Sequence, residues 1–108
     1  MSDESAYGLY RRGEAFLRSR HPAQAAVVLR RAARQEPDKT SIREALGRAY
    51  FDSGDYERAL AEFLLVVEAC PTNSYAHYCL GRSAARLGRE ELSRRHLRLA
   101  SAMGYEGG

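Results

Sequence analysis

The chain has 108 residues, of which 44% are hydrophobic and 29% are charged, with a formal net charge of +3. This length suits one compact domain, and the near-average composition excludes global disorder. The small positive charge is well below the basic excess of a typical nucleic-acid-binding domain.

The sequence predicts neither a signal peptide nor a membrane span. The N-terminus, MSDESAYG, is acidic and polar, and the apolar run FLLVV at 63–67 is far short of the roughly 20 residues that cross a bilayer. Cys70 and Cys79 match no metal or disulfide spacing. We therefore expect a cytoplasmic protein with reduced cysteines. Lys39 is the only lysine among 17 Lys and Arg residues, which is typical of a GC-rich bacterial genome.

Residues 1–5 are expected to form a flexible N-terminus, and a first pair of helices follows within residues 6–39. Leu9, Gly13 and Phe16 keep helical spacing in the first helix. Pro22 suits the first turn of the second helix, where its missing N–H costs nothing. Pro37 closes the unit.

The second unit, 40–73, contains the same two patterns. A helix is predicted over about Thr40–Ser53, ended by Gly54, and Asp55 is a plausible N-cap for the next helix, about Tyr56–Ala69. This second helix is apolar on much of its circumference, so we expect burial on several sides. Its apolar residues include Ala59, Leu60, Phe63, Leu64, Val66 and Val67.

The third unit, 74–105, ends in a helix that is far more polar, REELSRRHLRLASAM. Such a helix is expected at the end of a repeat array, where one face meets water. A stripe with helical spacing remains at Leu92, His96, Leu99 and Met103. We interpret it as a partly exposed seam, with weak self-association through Leu92, Leu99 and Met103 as the alternative. Residues 106–108 are expected to be a flexible C-terminus.

The three units share one fixed period. Leu46-Gly47-Arg48 recurs as Leu80-Gly81-Arg82, and Pro37 recurs as Pro71 at the same offset. A fixed period of this kind is typical of a repeat array. The glycines at 13, 47 and 81 lie in the middle of the first helices, where glycine lowers helix propensity. We infer that each lets the partner helix approach closely.

The unit resembles the tetratricopeptide repeat, a helix–turn–helix with a period of about 34 residues. The matching positions are Leu9, Gly13, Phe16, Ala25, Leu29, Ala32 and Pro37, then Leu46, Gly47, Tyr50, Ala59, Phe63 and Pro71, then Leu80, Gly81, Leu97 and Ala100. Arg43 and His77 depart from the pattern, since Trp or Leu is common there. The resemblance implies an all-α helical solenoid of three repeats and six helices.

No catalytic constellation appears in the sequence. His21, His77 and His96 are isolated singles, without a partner at metal-ligand spacing. Glu90 and Glu91 are adjacent and suit the first turn of a helix better than acid–base catalysis. We expect no enzymatic activity, no catalytic residue, no metal and no cofactor.

The resemblance also implies that the first helices line a concave groove that binds peptides or partner helices. Helical spacing assigns to this face Tyr7, Tyr10, Arg11, Glu14, Glu44, Arg48, Phe51, Asp52, Tyr75, Tyr78, Arg82 and Arg86. Tyr and Arg are enriched in binding hot spots. We expect a protein or peptide partner with acidic and apolar or aromatic residues, strongest at Tyr75, Tyr78 and Arg82. The alternative for the tyrosines is packing between repeats.

A well-known subclass of the family binds chaperone C-termini through a clamp of Lys, Asn and Arg. The corresponding positions here are Tyr10, Glu14, Ala45, Tyr75 and Cys79, so the clamp is absent.

Two other functions stay open. One is binding of nucleic acid or a phosphate ligand by arginines of the second helices, whose acidic neighbours favour an ordinary solvated face instead. These arginines are Arg30, Arg31, Arg34, Arg94, Arg95 and Arg98. The other is a structural homo-oligomer formed through the uncapped last helix.

Overall fold

The computed structural model describes residues 4–106, which form six α-helices and no strand. The helices are α1 (Ala6–Arg18), α2 (Pro22–Gln35), α3 (Thr40–Asp52), α4 (Tyr56–Ala69), α5 (Ser74–Arg86) and α6 (Glu90–Ala102). They stack in chain order as three antiparallel pairs within an elongated body of 47 × 24 × 21 Å. The predicted all-α helical solenoid of three repeats is confirmed.

The turn inside the second repeat follows the predicted chemistry. Gly54 has a φ of +83°, a left-handed conformation that glycine adopts without steric cost. Its N–H donates to the carbonyl oxygen of Phe51 at 3.0 Å. Asp55 then caps α4, because its carboxylate accepts a hydrogen bond from the Arg58 N–H at 3.2 Å.

The glycines inside the first helices are sites of close helix contact. A Cβ atom on Gly47 would lie 2.8 Å from Cζ of Phe63, and one on Gly81 would lie 2.7 Å from Cγ of Leu97. Both distances are too short for carbon atoms that are not bonded. Each glycine therefore lowers the helix propensity but allows a large apolar side chain of the partner helix to pack directly against the helix backbone.

The core runs along the whole array between the two layers of helices. Its largest fully buried apolar side chains are Phe63, Leu9, Leu29, Leu46, Leu80 and Val66. The expectation for α4 was only partly right, because Leu64 and Leu65 remain 42% and 47% exposed. α4 packs against α3 and α5, and its outward face has no further helix to cover it within the described chain.

The helix contacts give the array its curvature. Cα atoms of α1 and α3, and of α3 and α5, approach within 8 Å, whereas among the described residues no such contact joins α2 to α4 or α4 to α6. The first helices of the repeats therefore converge and the second helices diverge. The surface formed by α1, α3 and α5 is the inner face of the curve, and we call it the inner face below.

The start of the described chain is held against the first repeat. The Ser5 hydroxyl accepts a hydrogen bond from the Gly8 N–H at 3.0 Å. Glu4 pairs with Arg12, and its carbonyl oxygen accepts a hydrogen bond from the Gln35 side chain at 2.9 Å. The rest of the predicted flexible ends, residues 1–3 and 107–108, lies outside the described residues.

Candidate peptide-binding surface

A pocket of about 220 Å³ opens on the inner face between α3 and α5. It is lined by Arg48, Phe51, Asp52, Phe63, Tyr75, Tyr78, Cys79 and Arg82. All of these except two are among the residues that the sequence places on the groove face. Phe63 is an addition that reaches the pocket from α4, whereas Cys79, one of the clamp positions considered above, directly follows Tyr78 on α5.

The predicted residues of the first repeat form a separate cluster on α1. The Tyr10 hydroxyl donates to Glu14 at 3.0 Å, and the Arg11 guanidinium donates to the Tyr7 hydroxyl at 3.1 Å. Burial and the neighbouring Glu14 carboxylate raise the pKa of Tyr10. Tyr7 is 66% exposed, so most of its ring is open to solvent and accessible to a partner.

Glu44, in the centre of the inner face, has a structural partner that the sequence did not reveal. Its carboxylate accepts a hydrogen bond at 2.8 Å from the side-chain amide of Asn73. The oxygen of that same amide accepts from the Ala76 N–H at 3.0 Å and so caps α5. Glu44 therefore ties α3 to the start of α5. An Asn directly before a helix was the available signal.

The pocket has one more cation than it has anions. Arg48 and Arg82 are positive, Asp52 is negative, and Cys79 and Tyr75 are neutral near pH 7. Burial raises the pKa of the Cys79 thiol to about 11 and also raises the pKa of the Tyr75 hydroxyl. The lining residues therefore carry a net charge of +1, and the Glu44 carboxylate lies close enough to contribute to both of these raised pKa values.

Tyr105 covers part of this surface, which the sequence did not predict. Its ring centroid lies 4.7 Å from that of Tyr78 and 5.8 Å from that of Tyr75. Tyr105 stands one repeat period after Pro71, at the position where each earlier unit closes with proline. Tyr75 and Tyr78 thus have a packing role as well as a place on the inner face.

Arg82 and Arg86 make cation–π contacts with aromatic rings at the edge of the pocket. The guanidinium carbons of Arg82 and Arg86 lie 5.1 and 5.6 Å from the Phe51 ring centroid. Arg86 also lies 5.3 Å from the Tyr56 ring centroid and donates to the Tyr56 hydroxyl at 2.8 Å. Tyr56 was not predicted on this surface, because the predicted binding face consists of the first helices alone and Tyr56 lies on a second helix.

Two of the three histidines that the sequence suggested were isolated are in contact in the folded protein. His77 and His96 meet between α5 and α6, with the two Nδ1 atoms 2.9 Å apart, the ring centroids 5.1 Å apart and the ring planes within 15° of each other. His96 is therefore buried and does not belong to an exposed stripe. Within residues 4–106 no group of three His, Cys, Asp or Glu side chains is placed to hold a metal ion.

The rest of the predicted stripe on α6 is only partly exposed. Leu92 is half-buried, and Leu99 and Met103 are 36% and 38% exposed. Leu92 and Leu99 share a broad, open depression of about 960 Å³ with four charged residues, Glu91, Arg94, Arg95 and Arg98. None of the described helices has the length and apolar character needed to span a membrane.

The fold and the inner face define a class of protein, the α-helical repeat solenoid. A family model described as "Tetratricopeptide repeat" matches residues 10–74. The chain belongs to the tetratricopeptide repeat family.

Similarity to individual proteins supports the same fold. A segment of 79 residues is 33% identical to Superkiller complex protein 3 of Mus musculus; it covers 73% of this chain but only 5% of that protein. Two solved structures superpose closely. The second TPR of Spaghetti (RPAP3) bound to the HSP90 peptide SRMEEVD has a TM-score of 0.86 at 16% identity, covering 93% of each chain. YrrB, a TPR protein with an unusual peptide-binding site, has a TM-score of 0.90 at 24% identity, covering 95% of this chain and 53% of its own.

Proposed function

We propose that this chain is a non-enzymatic protein-interaction module that binds a peptide or a helical segment of a protein on its inner face. The observation that carries the proposal is the pocket between α3 and α5, where aromatic side chains and unneutralised arginines meet. Aromatic residues and Arg are the types that dominate binding energy in protein interfaces. The bound HSP90 peptide in the RPAP3 structure supports the same kind of ligand for this chain.

The inner face favours a partner with apolar or aromatic anchors and acidic residues. Phe51 and Tyr78 offer ring surface to an anchor, and Arg48 and Arg82 offer charge to a carboxylate. The exposed Tyr7 extends this aromatic surface to the far end of the array. A peptide that lies across all three first helices would contact both ends.

The test is capture of partners from a source-cell lysate by wild-type protein and by the double variant Tyr78→Ala, Arg82→Ala, side by side. A captured protein is then purified and titrated against both by fluorescence anisotropy, with circular dichroism to confirm folding. We expect the double variant to bind roughly thirty-fold more weakly, about 2 kcal/mol. The matched control is Leu99→Ala, Arg98→Ala on α6, which should bind like wild type.

Equal affinities for wild type and the inner-face variant would remove this face as the binding site. A loss confined to the α6 variant would point instead to the last helix, and sedimentation would then show whether the partner is a second copy. A steep salt dependence with nucleic acid as the captured molecule would favour the arginines of the second helices.

A further inference from the structure

The third repeat differs from the first two in the charges on its inner face. Two positions one helical turn apart carry Glu14 and Arg18 in the first repeat and Arg48 and Asp52 in the second. The third repeat has Arg82 and Arg86 at these positions. Opposite charges at this spacing stabilise a helix, and like charges destabilise it. The third repeat alone thus has two adjacent positive charges.

No carboxylate oxygen in the described chain lies within 4.0 Å of either guanidinium group. The ion pairs within residues 4–106 involve Arg12, Arg43, Arg58 and Arg89, each with a carboxylate oxygen within 4.0 Å. Arg82 and Arg86 have none. Their guanidinium groups are nevertheless held in place, because both make a cation–π contact with Phe51 and each donates to a tyrosine hydroxyl, Tyr78 at 3.4 Å and Tyr56 at 2.8 Å.

This arrangement is suited to an anionic ligand. A guanidinium carries five N–H donors on its edge, so the one donated to a tyrosine hydroxyl leaves others that match a carboxylate in a bidentate pair. Both side chains are exposed at the rim of the pocket, so a ligand reaches them from solvent. Because the rings already restrict the side chains, binding costs less side-chain entropy than at a mobile arginine.

We propose that Arg82 and Arg86, held on the Phe51 ring, form a subsite for a carboxylate side chain of the bound peptide. This subsite rests on the proposed function, since it assigns an acidic residue to the peptide held by the inner face. It is separate from the clamp positions of the chaperone-binding subclass, of which α5 carries Tyr75 and Cys79. The nearby pocket, which Phe51 and Tyr78 line, takes the residue that neighbours the acid, and its aromatic lining favours an apolar or aromatic one.

The test selects peptides from a random phage-displayed library on the intact chain, without assuming a partner. Three immobilised proteins are compared: wild type, Arg82→Gln with Arg86→Gln, and the matched control Arg94→Gln with Arg98→Gln, which removes the same charge at the same spacing on α6. We expect Asp or Glu to be enriched next to an aromatic position on wild type and on the control. On the Arg82, Arg86 variant the acidic enrichment is lost while the aromatic enrichment persists.

A synthetic peptide of the selected sequence then measures the effect directly. Replacing its acidic residue by Gln or Asn should weaken binding to wild type about tenfold and leave binding to the Arg82→Gln, Arg86→Gln variant unchanged. Arg82→Lys with Arg86→Lys keeps the charge but loses the planar fork. It should retain less than half of the preference for the acid.

The outcomes separate the subsite from the proposed function. One outcome would overturn the subsite and leave the proposed function standing: the inner face selects peptides that lack acidic residues. The same holds if the peptide's acidic residue strengthens binding to the Arg82→Gln, Arg86→Gln variant as much as binding to wild type. Failure to select any peptide that depends on Tyr78 would overturn both. If the enrichment of Asp or Glu in the selected peptides is lost only on the Arg94→Gln, Arg98→Gln control, the anion site lies on α6 and not on α5.

Discussion

The second and third repeats use different chemistry at the same contact between their helices. In the second repeat Arg43 lies 3.1 Å from a carboxylate oxygen of Glu62. At the equivalent positions of the third repeat, the Nδ1 atoms of His77 and His96 lie 2.9 Å apart. Both first-helix residues also donate to the carbonyl oxygen of a loop proline, Arg43 at 3.0 Å and His77 at 2.7 Å.

The loop contact fixes one proton of the histidine pair. A carbonyl oxygen can only accept, so Nε2 of His77 carries a proton. Since the two Nδ1 atoms are joined by one hydrogen bond, one of them donates and the other accepts. Burial, with contributions from His77 and from nearby Arg95, lowers the pKa of His96. The third repeat is thus joined by a hydrogen bond between two imidazole rings, whereas the second is joined by opposite charges.

The difference shows which parts of the repeat are exchangeable. The first repeat has two buried apolar residues, Leu9 and Val28, at the same two positions. Ionic, neutral polar and apolar pairs therefore all fit one backbone geometry. What stays common is the glycine of the first helix against the large side chain of the second.

The largest effect should come from overpacking that common contact. We expect Gly47→Leu and Gly81→Leu to destabilise the chain by similar amounts, about 1–3 kcal/mol each, because the new side chain would occupy the space of Phe63 or Leu97. Thermal and urea unfolding measure the loss. Ala61→Leu, on the exposed face of α4, is the matched control and should change little. An unchanged or raised melting temperature for Gly47→Leu would show that this glycine is not a packing contact.

The ion pair of the second repeat should give the next largest effect. Glu62→Val leaves the Arg43 side chain, only 22% exposed, without its carboxylate, and should cost about 1–2 kcal/mol in urea unfolding. Arg43→Leu with Glu62→Val installs the pair of the first repeat and should recover most of that loss, since apolar pairs replace ion pairs at little cost. If the single and double variants are equally unstable, the two side chains are not coupled.

The smallest effect should be a pH dependence confined to the third repeat. Below the unfolded histidine pKa of about 6.5, the unfolded chain binds a proton that buried His96 resists, so the free energy of unfolding falls as the pH falls. The loss grows until the pH reaches the lowered pKa of the folded state. Thermal unfolding at pH 7.5 and 5.5 should show this fall for wild type.

The matched variant for the pH experiment again comes from the first repeat. His77→Leu with His96→Val removes both imidazole rings of the pair. This variant should show a smaller fall in the free energy of unfolding between pH 7.5 and 5.5, and the exposed His21 is unchanged in both proteins. Equal pH dependence in wild type and this variant would exclude the histidine pair as its source.

Much of the fold could be predicted because local signals of the same kinds recur along the chain. Glycine at the turn, Asp55 as a cap and proline at the unit boundary act on neighbouring residues, and their effects are readable from spacing alone. The face of the first helices was predictable for the same reason. Helical spacing places Arg48 and Phe51 on one side of α3, and the repeat period places Tyr78 on the matching side of α5.

Only the tertiary structure decided which of these side chains meet across helices. Tyr56 reaches Arg86 from α4, Asn73 reaches Glu44 from a loop, and Tyr105 folds back over Tyr78. The partners in each pair are far apart in sequence, and no local period relates them. Local backbone preference and apolar spacing act within a few residues and so determined the helices. Contacts between polar side chains depend on how those helices pack, and this packing brings together residues that are distant in sequence.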